Sequence, residues 1–453
     1  MQYIDSAMVG RLGSDPSAAV GLMSTSLWLF WGLCSAFTMG FSVQIAHRVG
    51  AGDYLSARVI LRQGIFLSFM FGLLMALTGV GISGFLPLWL GGGDSINGMA
   101  GNYFAIFTAA LPFLAIGYLA AGTLRSTGNM KVPGLLYALM CVLDIVFNFF
   151  LIFPSATVNI GGMSFYLPRA GLGVEGAAIG TAVAEILIAG ALLYWACFRQ
   201  KEIALSRHRE DKVRLRDYLP HRSVFNNTFR LASPLMLEHG VLCIAQIITT
   251  MIVAPLGNLA IAANAFAVTA EAICYMPGYG FGDAATTLTG QCVGAGRRRL
   301  GRQFAYLTVA IGVAVMGLMG VVLWIGAPAI MSLMSPVAAI QDLGVSALRI
   351  EAWAEPMFGA AIVCYGAMVG AGDTFIPPCM NFASIWLVRL PIAWLLAPVY
   401  GLDGVWIGMC VELCFRGLIF LWRLAGRKWL SHKATESVAE EDEHDMLPGQ
   451  DSM

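Results

Sequence analysis

The sequence predicts an all-α polytopic membrane protein: twelve transmembrane helices in two pseudo-symmetric six-helix bundles, the first helix truncated. Three observations predict it. The composition is too apolar for water, basic residues gather in alternate loops, and the second half of the chain repeats the first.

Of 453 residues, 58% are hydrophobic and 12% charged, with a mean hydropathy of +0.73. A soluble domain carries about 25% charged residues, and no soluble core buries this much apolar surface, so the solvent is lipid. Apolar runs at 24–40, 65–90, 104–121 and 307–330 reach or approach the length that crosses a hydrocarbon layer, ~20 residues. The 52 glycines and 18 prolines fall partly inside these runs, as membrane helices tolerate. Strand alternation of the membrane-barrel kind is absent. Met1 is not preceded by a basic segment and cleavage site, so no signal peptide is expected. The ten cysteines lie nearly all in apolar runs. Cys410 and Cys414 share a helical face, yet no C-x-x-C or Cys/His cluster accompanies them, so they are read as small hydrophobes and no metal site is expected.

Charge sets the topology. Arg48, Arg58 and Arg62 follow the second apolar segment, and Arg125 and Lys131 follow the fourth. Nine basic residues from Arg199 to Arg230 surround KEIALSRHREDKVRLRDYLPHR after the sixth. Arg297, Arg298, Arg299 and Arg302 follow the eighth; Arg423, Arg427, Lys428 and Lys433 follow the twelfth. The alternate loops hold Arg11 and Arg169, a ratio of 22 to 2, with Arg349, Arg389 and Arg416 inside helices. The positive-inside rule then places twelve spans with both ends cytoplasmic. The acidic segment ESVAEEDEHD is expected to be a solvated, disordered tail.

The repeat is gapless over a long stretch. VGAG at 49–52 recurs at 293–296, an offset of 244 that also pairs Gly13 with Gly257, Pro112 with Pro356, Gly128 with Gly372 and Pro133 with Pro377. Later the offset is 228, pairing Gly173, Gly176 and Gly180 with Gly401, Gly404 and Gly408. The first half therefore carries 16 extra residues, placed in the external loop SATVNIGGMSFYLPRAG. Two homologous halves of six helices each are parallel repeats about an axis along the membrane normal. The expected divisions are a first bundle at 1–199, a cytoplasmic linker at 200–226, a second bundle at 227–427 and a tail at 428–453. Subtracting 244 from the seventh helix puts the equivalent start about a dozen residues before Met1, so the first helix is expected to lack about half its length.

An ionisable group inside a span costs about 2.5–3.5 kcal/mol to insert, which makes each one a functional candidate. Asp5 maps onto Thr249, inside the seventh helix and not at its edge. In CVLDIVFNFFLIF, Asp144 and Asn148 are four apart and share a face, which a helix this apolar should turn inward. With Asp5 they are expected to make a polar pocket; an interhelical anchor role for Asp144 is the alternative. The second half offers Glu238 and His239 in SPLMLEHGVL, Gln246, Glu271 in TAEAICYMPG, and Glu351 and Glu355 in ALRIEAWAEPMF. Glu271 lies mid-span with no Lys or Arg close in sequence, a candidate proton carrier. Glu351 has the alternative of pairing with Arg349 or Arg389. Glu175 and Asp403 sit at helix starts, where the helix dipole accounts for them. The VGAG segments lack the Lys-Ser pair and preceding strand of a phosphate loop; they are expected to make tight turns at helix ends. Arg297–Arg299 is a topology signal or lipid-phosphate contact, with no nucleic acid implied.

Together, IDSAMVGRLG…AAVG, QIAHRVGAG, GTLRSTGNMKVP, MPGYGFGDAATTLTGQCVGAG, GAMVGAGDTFIPP, WLVRLPIAWLL and GLDGVWIG resemble the multidrug and toxic compound extrusion (MATE) family, from Met1 to about Trp429. The resemblance implies two six-helix lobes around a central cavity in a bacterial inner membrane. It also implies antiport that exports organic cations or other amphiphiles against sodium ions or protons. No cofactor beyond that ion and no obligate protein partner are implied. Asp5 matches the first-helix aspartate on which the family's ion coupling rests. That family's fifth helix often carries Asn then Asp four residues on; here the order is Asp144 then Asn148. Glu238, Glu271 and Glu351 resemble acidic positions of bacterial members. The set expected to couple the ion or bind substrate is thus Asp5, Asp144, Asn148, Glu238, Gln246, Glu271 and Glu351. The alternatives are a flippase for a lipid-linked or amphiphilic metabolite, which suits a more basic cavity than Arg389 and Arg416 suggest, and a membrane enzyme. The enzyme needs clustered catalytic groups, and His239 is the only histidine deep in a helix.

Overall fold

The computed structural model describes residues 2–160, 163–205, 220–426 and 428–430. Among the described residues, nine helices are long and apolar enough to cross a membrane, and two bent pairs bring the number to eleven. With the short helix Gln2–Val9 ahead of them, the chain has the twelve helices expected.

The chain divides into two compact units. One comprises Met1–Ile45 with Tyr54–Thr228, the other Ala46–Asp53 with Phe229–Met453. In the first, Gln2–Val9 is followed by a turn at Gly10–Leu12 and by the second span, Ser14–Gly50. Tyr54–Ile82, the bent pair Ser95–Ala109 and Leu111–Ser126, Lys131–Leu151 and Gly173–Arg199 complete it. The second unit takes the helix Arg222–Leu256 from Phe229 on, then Asn258–Gly294, Arg298–Met334, the bent pair Ala338–Glu351 and Glu355–Gly370, Ile376–Tyr400 and Leu402–Ala425. The seventh helix thus begins inside the stretch expected to be linker, of which 206–219 lie outside the described residues. Lys428–Leu430 form one turn with Trp429 buried, so the expected tail does not start at 428; residues 431–453 lie outside the described residues.

The repeat recurs in local geometry. The fourth span bends by 45° and the tenth by 57°, just before Pro112 and Pro356, where proline removes a helix hydrogen bond and crowds the preceding turn. Gly52 and Gly296 both have left-handed φ, +78° and +67°, ending the second and eighth spans as glycine caps do. Their VGAG neighbours do something else. A Cβ on Gly50 would lie 2.0 Å from the Gln291 carbonyl oxygen, and one on Gly294 would lie 1.9 Å from that of His47. His47 and Gln291 are themselves 244 apart, so the motif makes one contact twice. Gly294→Val should therefore remove most of the monodisperse protein from a size-exclusion profile, while Gly21→Val, with open space at its Cβ, should leave it unchanged.

The extra segment of the first half is a hairpin, not an irregular loop. Strand β1 (Pro154–Ile160) pairs antiparallel with β2 (Met163–Ala170), as the β-branched and aromatic residues of TVNI and FYL favour.

Candidate functional site

The fifth span, Lys131–Leu151, shows why its two polar residues matter. One side of it is exposed, and its only buried residues are Pro133, Asp144 and Asn148. Leu135, Leu139, Val142 and Ile145 are exposed instead. In lipid that is the favourable arrangement: apolar side chains face acyl chains, and the carboxylate and amide, one turn apart, turn to the bundle interior.

There they meet the first helix. Asn148 Nδ2 donates to Asp5 Oδ1 at 2.6 Å and to Asp144 Oδ1 at 3.2 Å. Thr181 of the sixth span lies 2.8 Å from Asp144 Oδ1 and 3.2 Å from Asp5 Oδ2 through Oγ1. Asp5 is 1% exposed, Asp144 and Asn148 are 0% and Thr181 is 1%. A hydroxyl has a single hydrogen, so Thr181 donates to one carboxylate at a time. Asp144 Oδ2 and Asn148 Oδ1 have no hydrogen-bond partner among the described residues. The pocket is an all-oxygen acceptor set with two carboxylates and no basic residue bonded to it, the donor chemistry that suits a proton or a hard cation. The expected pocket of Asp5, Asp144 and Asn148 is brought together as read from sequence.

Two further residues belong to it. Thr181 carries no charge and costs little to insert, so nothing in its composition signals a role. Glu185, buried one turn further along the same face, lies within electrostatic reach of Asp144 and Asp5. Its signal was available: a carboxylate in GTAVAEILIAG is as costly as the one in the fifth span.

The second unit distributes its candidates over three places. Glu238 accepts from Asn381 Nδ2 at 2.5 Å and from the Tyr365 hydroxyl. Glu271, Glu351 and Glu355 are buried within electrostatic reach of one another, and all four carboxylate oxygens of Glu351 and Glu355 lack a hydrogen-bond partner among the described residues. The alternative pairing of Glu351 is not made: Arg349 lies over the Trp324 ring at 5.1 Å, and Arg389 is bonded to Glu412. Gln246 stands apart from the acidic residues, on a small cavity with Thr249 and Arg389.

Sequence reasoning missed the centre of this unit. Glu412 is 0% exposed and takes Arg389 Nε at 3.0 Å and Nη2 at 2.7 Å on one oxygen. Its other oxygen takes Arg416 Nε at 2.7 Å and Ser384 Oγ at 2.5 Å. The spacing of Glu412 and Arg416, four apart on one helix, was the available signal. Among the described residues no group of three or more His, Cys, Asp and Glu is arranged to hold a metal ion.

Two homologous helical repeats, each with ionisable groups buried at mid-span, define a two-lobed polytopic membrane protein. The MatE family profile matches residues 1–150 and 234–395, and the chain belongs to that family. It is 26% identical over 434 residues to a probable multidrug resistance protein NorM of Thermotoga maritima, covering 94% of this chain and 88% of that one. A probable NorM of Pseudomonas aeruginosa is 29% identical, covering 97% and 88%. The fold matches the Vibrio cholerae MATE transporter VcmN in its bent form with a TM-score of 0.79, at 20% identity and over 98% and 93% of the two chains. The family resemblance drawn from the sequence motifs is borne out.

Proposed function

We propose that this protein is a secondary active antiporter that exports organic cations, drugs or other amphiphiles in exchange for protons or sodium ions. The observation that carries the proposal is the buried Asp5–Asn148–Asp144–Thr181 pocket. Two negative charges held there without a basic partner are costly, so the pocket is stabilised whenever a proton or a cation joins it. Binding then favours whichever arrangement of the helices closes the oxygens around the ion. Alternating access of the two bundles converts that preference into outward movement of substrate. The names of the relatives support the substrate class, and the buried glutamates of the second unit are candidates for a second coupling group. No groups for hydrolysis or group transfer are needed in this reading.

The test is dye efflux. Energised bacterial cells producing the chain should expel ethidium faster than cells with an empty vector. Ionophores that collapse both the proton and the sodium gradient should abolish the difference, and removing one gradient at a time identifies the ion. Efflux that survives loss of both gradients would rule out antiport.

A further inference from the structure

The second unit has a small, partly open cavity that the proposed export reaction leaves unused. Its volume is about 20 Å³, and Gln246, Thr249, Asn264, Arg389, Trp406 and Met409 line it, with two valines. That is room for about one water-sized particle.

Packing of the repeat shows what the cavity corresponds to. In the first unit a Cβ on Gly176 would lie 2.5 Å from the Leu151 carbonyl oxygen, and one on Gly180 would lie 2.3 Å from Asn148 Oδ1. Their counterparts 228 positions on behave alike: a Cβ on Gly404 would lie 2.4 Å from the Leu396 carbonyl oxygen, and one on Gly408 would lie 2.8 Å from Ala393 N. Leu151 is therefore matched by Leu396 and Asn148 by Ala393, an offset of 245 where Pro133 and Pro377 have 244. The extra residue is absorbed by the π-turn Ile385–Arg389, since such a turn holds one residue more than a turn of α-helix. Arg389 consequently stands where Asp144 stands. At their own offsets Thr249 stands for Asp5 and Met409 for Thr181, and all three line this one cavity. It is the counterpart of the acidic pocket, with a guanidinium in place of a carboxylate.

Several of its donors are unoccupied. Arg389 uses Nε and Nη2 on Glu412, and Nη1 makes no hydrogen bond among the described residues. Asn264 accepts from Trp406 Nε1 through Oδ1 at 3.1 Å, which leaves its amide hydrogens. Gln246 likewise has an unused side-chain amide. Thr249 donates to the Ala245 carbonyl oxygen at 2.9 Å and contributes shape. Arg389 and Arg416 share one hydrogen-bonded carboxylate, Glu412. Glu271 and Glu351 are within electrostatic reach of Arg389, but neither lines the cavity.

We propose that this cavity binds one monovalent anion of halide size. A guanidinium edge and two amides match a small anion, and about 20 Å³ suits one of halide size. The site is independent of which ion drives export and of whether export occurs.

The test is equilibrium binding of radiolabelled chloride to the purified full-length protein, with no transport involved. Saturable binding near one ion per chain, displaced by bromide and not by gluconate, is expected. Asn264→Asp keeps the acceptor for Trp406 and sets a carboxylate beside Arg389; Thr249→Asp restores the charge found at its counterpart. Each should weaken chloride binding by at least about tenfold through like-charge repulsion in a low-dielectric site. Gln246→Leu, at an exposed position, serves if either acidic variant is not monodisperse, and it should also weaken binding. Absence of saturable chloride binding, or an affinity unchanged in these variants, overturns the proposal.

Discussion

Asp144→Asn should abolish gradient-driven export while the protein remains folded. The substitution preserves side-chain size, and an amide oxygen can still accept from Thr181, whose Oγ1 is 2.8 Å from Asp144 Oδ1. What disappears is one of two charges in an acceptor set with unpaired oxygens at Asp144 Oδ2 and Asn148 Oδ1. Removing a full charge from a buried site of this kind costs a bound cation about 3–5 kcal/mol, or a factor of 100 or more. An ion that no longer binds one state in preference to the other cannot shift their populations. Asp5→Asn should act alike, because Asn148 Nδ2 still finds an oxygen there. The measurement is ethidium efflux normalised to the amount of monodisperse protein. Thr181→Val should reduce export less, since it removes a shared donor and no charge.

Glu412→Gln should have the larger effect on stability. One carboxylate receives two guanidiniums and a serine hydroxyl at 0% exposure. Losing it leaves Arg389 and Arg416 buried without their hydrogen-bonded counter-charge, an effect of about 3–5 kcal/mol, enough to unfold many proteins. The melting temperature in detergent and the monodisperse fraction should both fall sharply. Replacing Arg389, Glu412 and Arg416 together by methionine should restore the fold, because apolar residues of similar volume substitute well for a buried ionic group. Failure of that triple variant to recover would mean the network specifies the bundle rather than merely balancing charge.

Much of this architecture was legible in the sequence, for physical reasons that can be named. Lipid demands long apolar helices, so the spans announce themselves; duplication demands a constant offset, so Pro112 and Pro356 were paired, and the structure bends both spans just before them. Asp144 and Asn148 were found because burying a carboxylate in an otherwise lipid-facing helix is costly and four-residue spacing fixes a shared face. Thr181 was not, because a threonine hydroxyl can satisfy itself on its own helix and leaves no compositional trace. Glu412 was obscured by its neighbours: a Glu and an Arg four apart look like a local pair until Arg389 arrives from another span. The one residue added by the π-turn Ile385–Arg389 was beyond a gapless repeat comparison, and the glycine contacts at Gly404 and Gly408 fix its effect on the register. Without it, Val388 would be taken as the partner of Asp144 and the exchange of carboxylate for guanidinium would be hidden. The VGAG motif was read half correctly. Gly52 and Gly296 make the expected turns, whereas Gly50 and Gly294 serve close backbone approach.

The most direct test of the acidic pocket uses purified protein in proteoliposomes. A sodium or proton gradient is imposed, and movement of ethidium is followed together with counter-movement of the ion. The unaltered chain should couple the two, and the double variant Asp5→Asn, Asp144→Asn should carry no ion-driven dye while reconstituting in the same amount. Dye transport by the double variant at the unaltered rate, still driven by the ion gradient, would contradict the account.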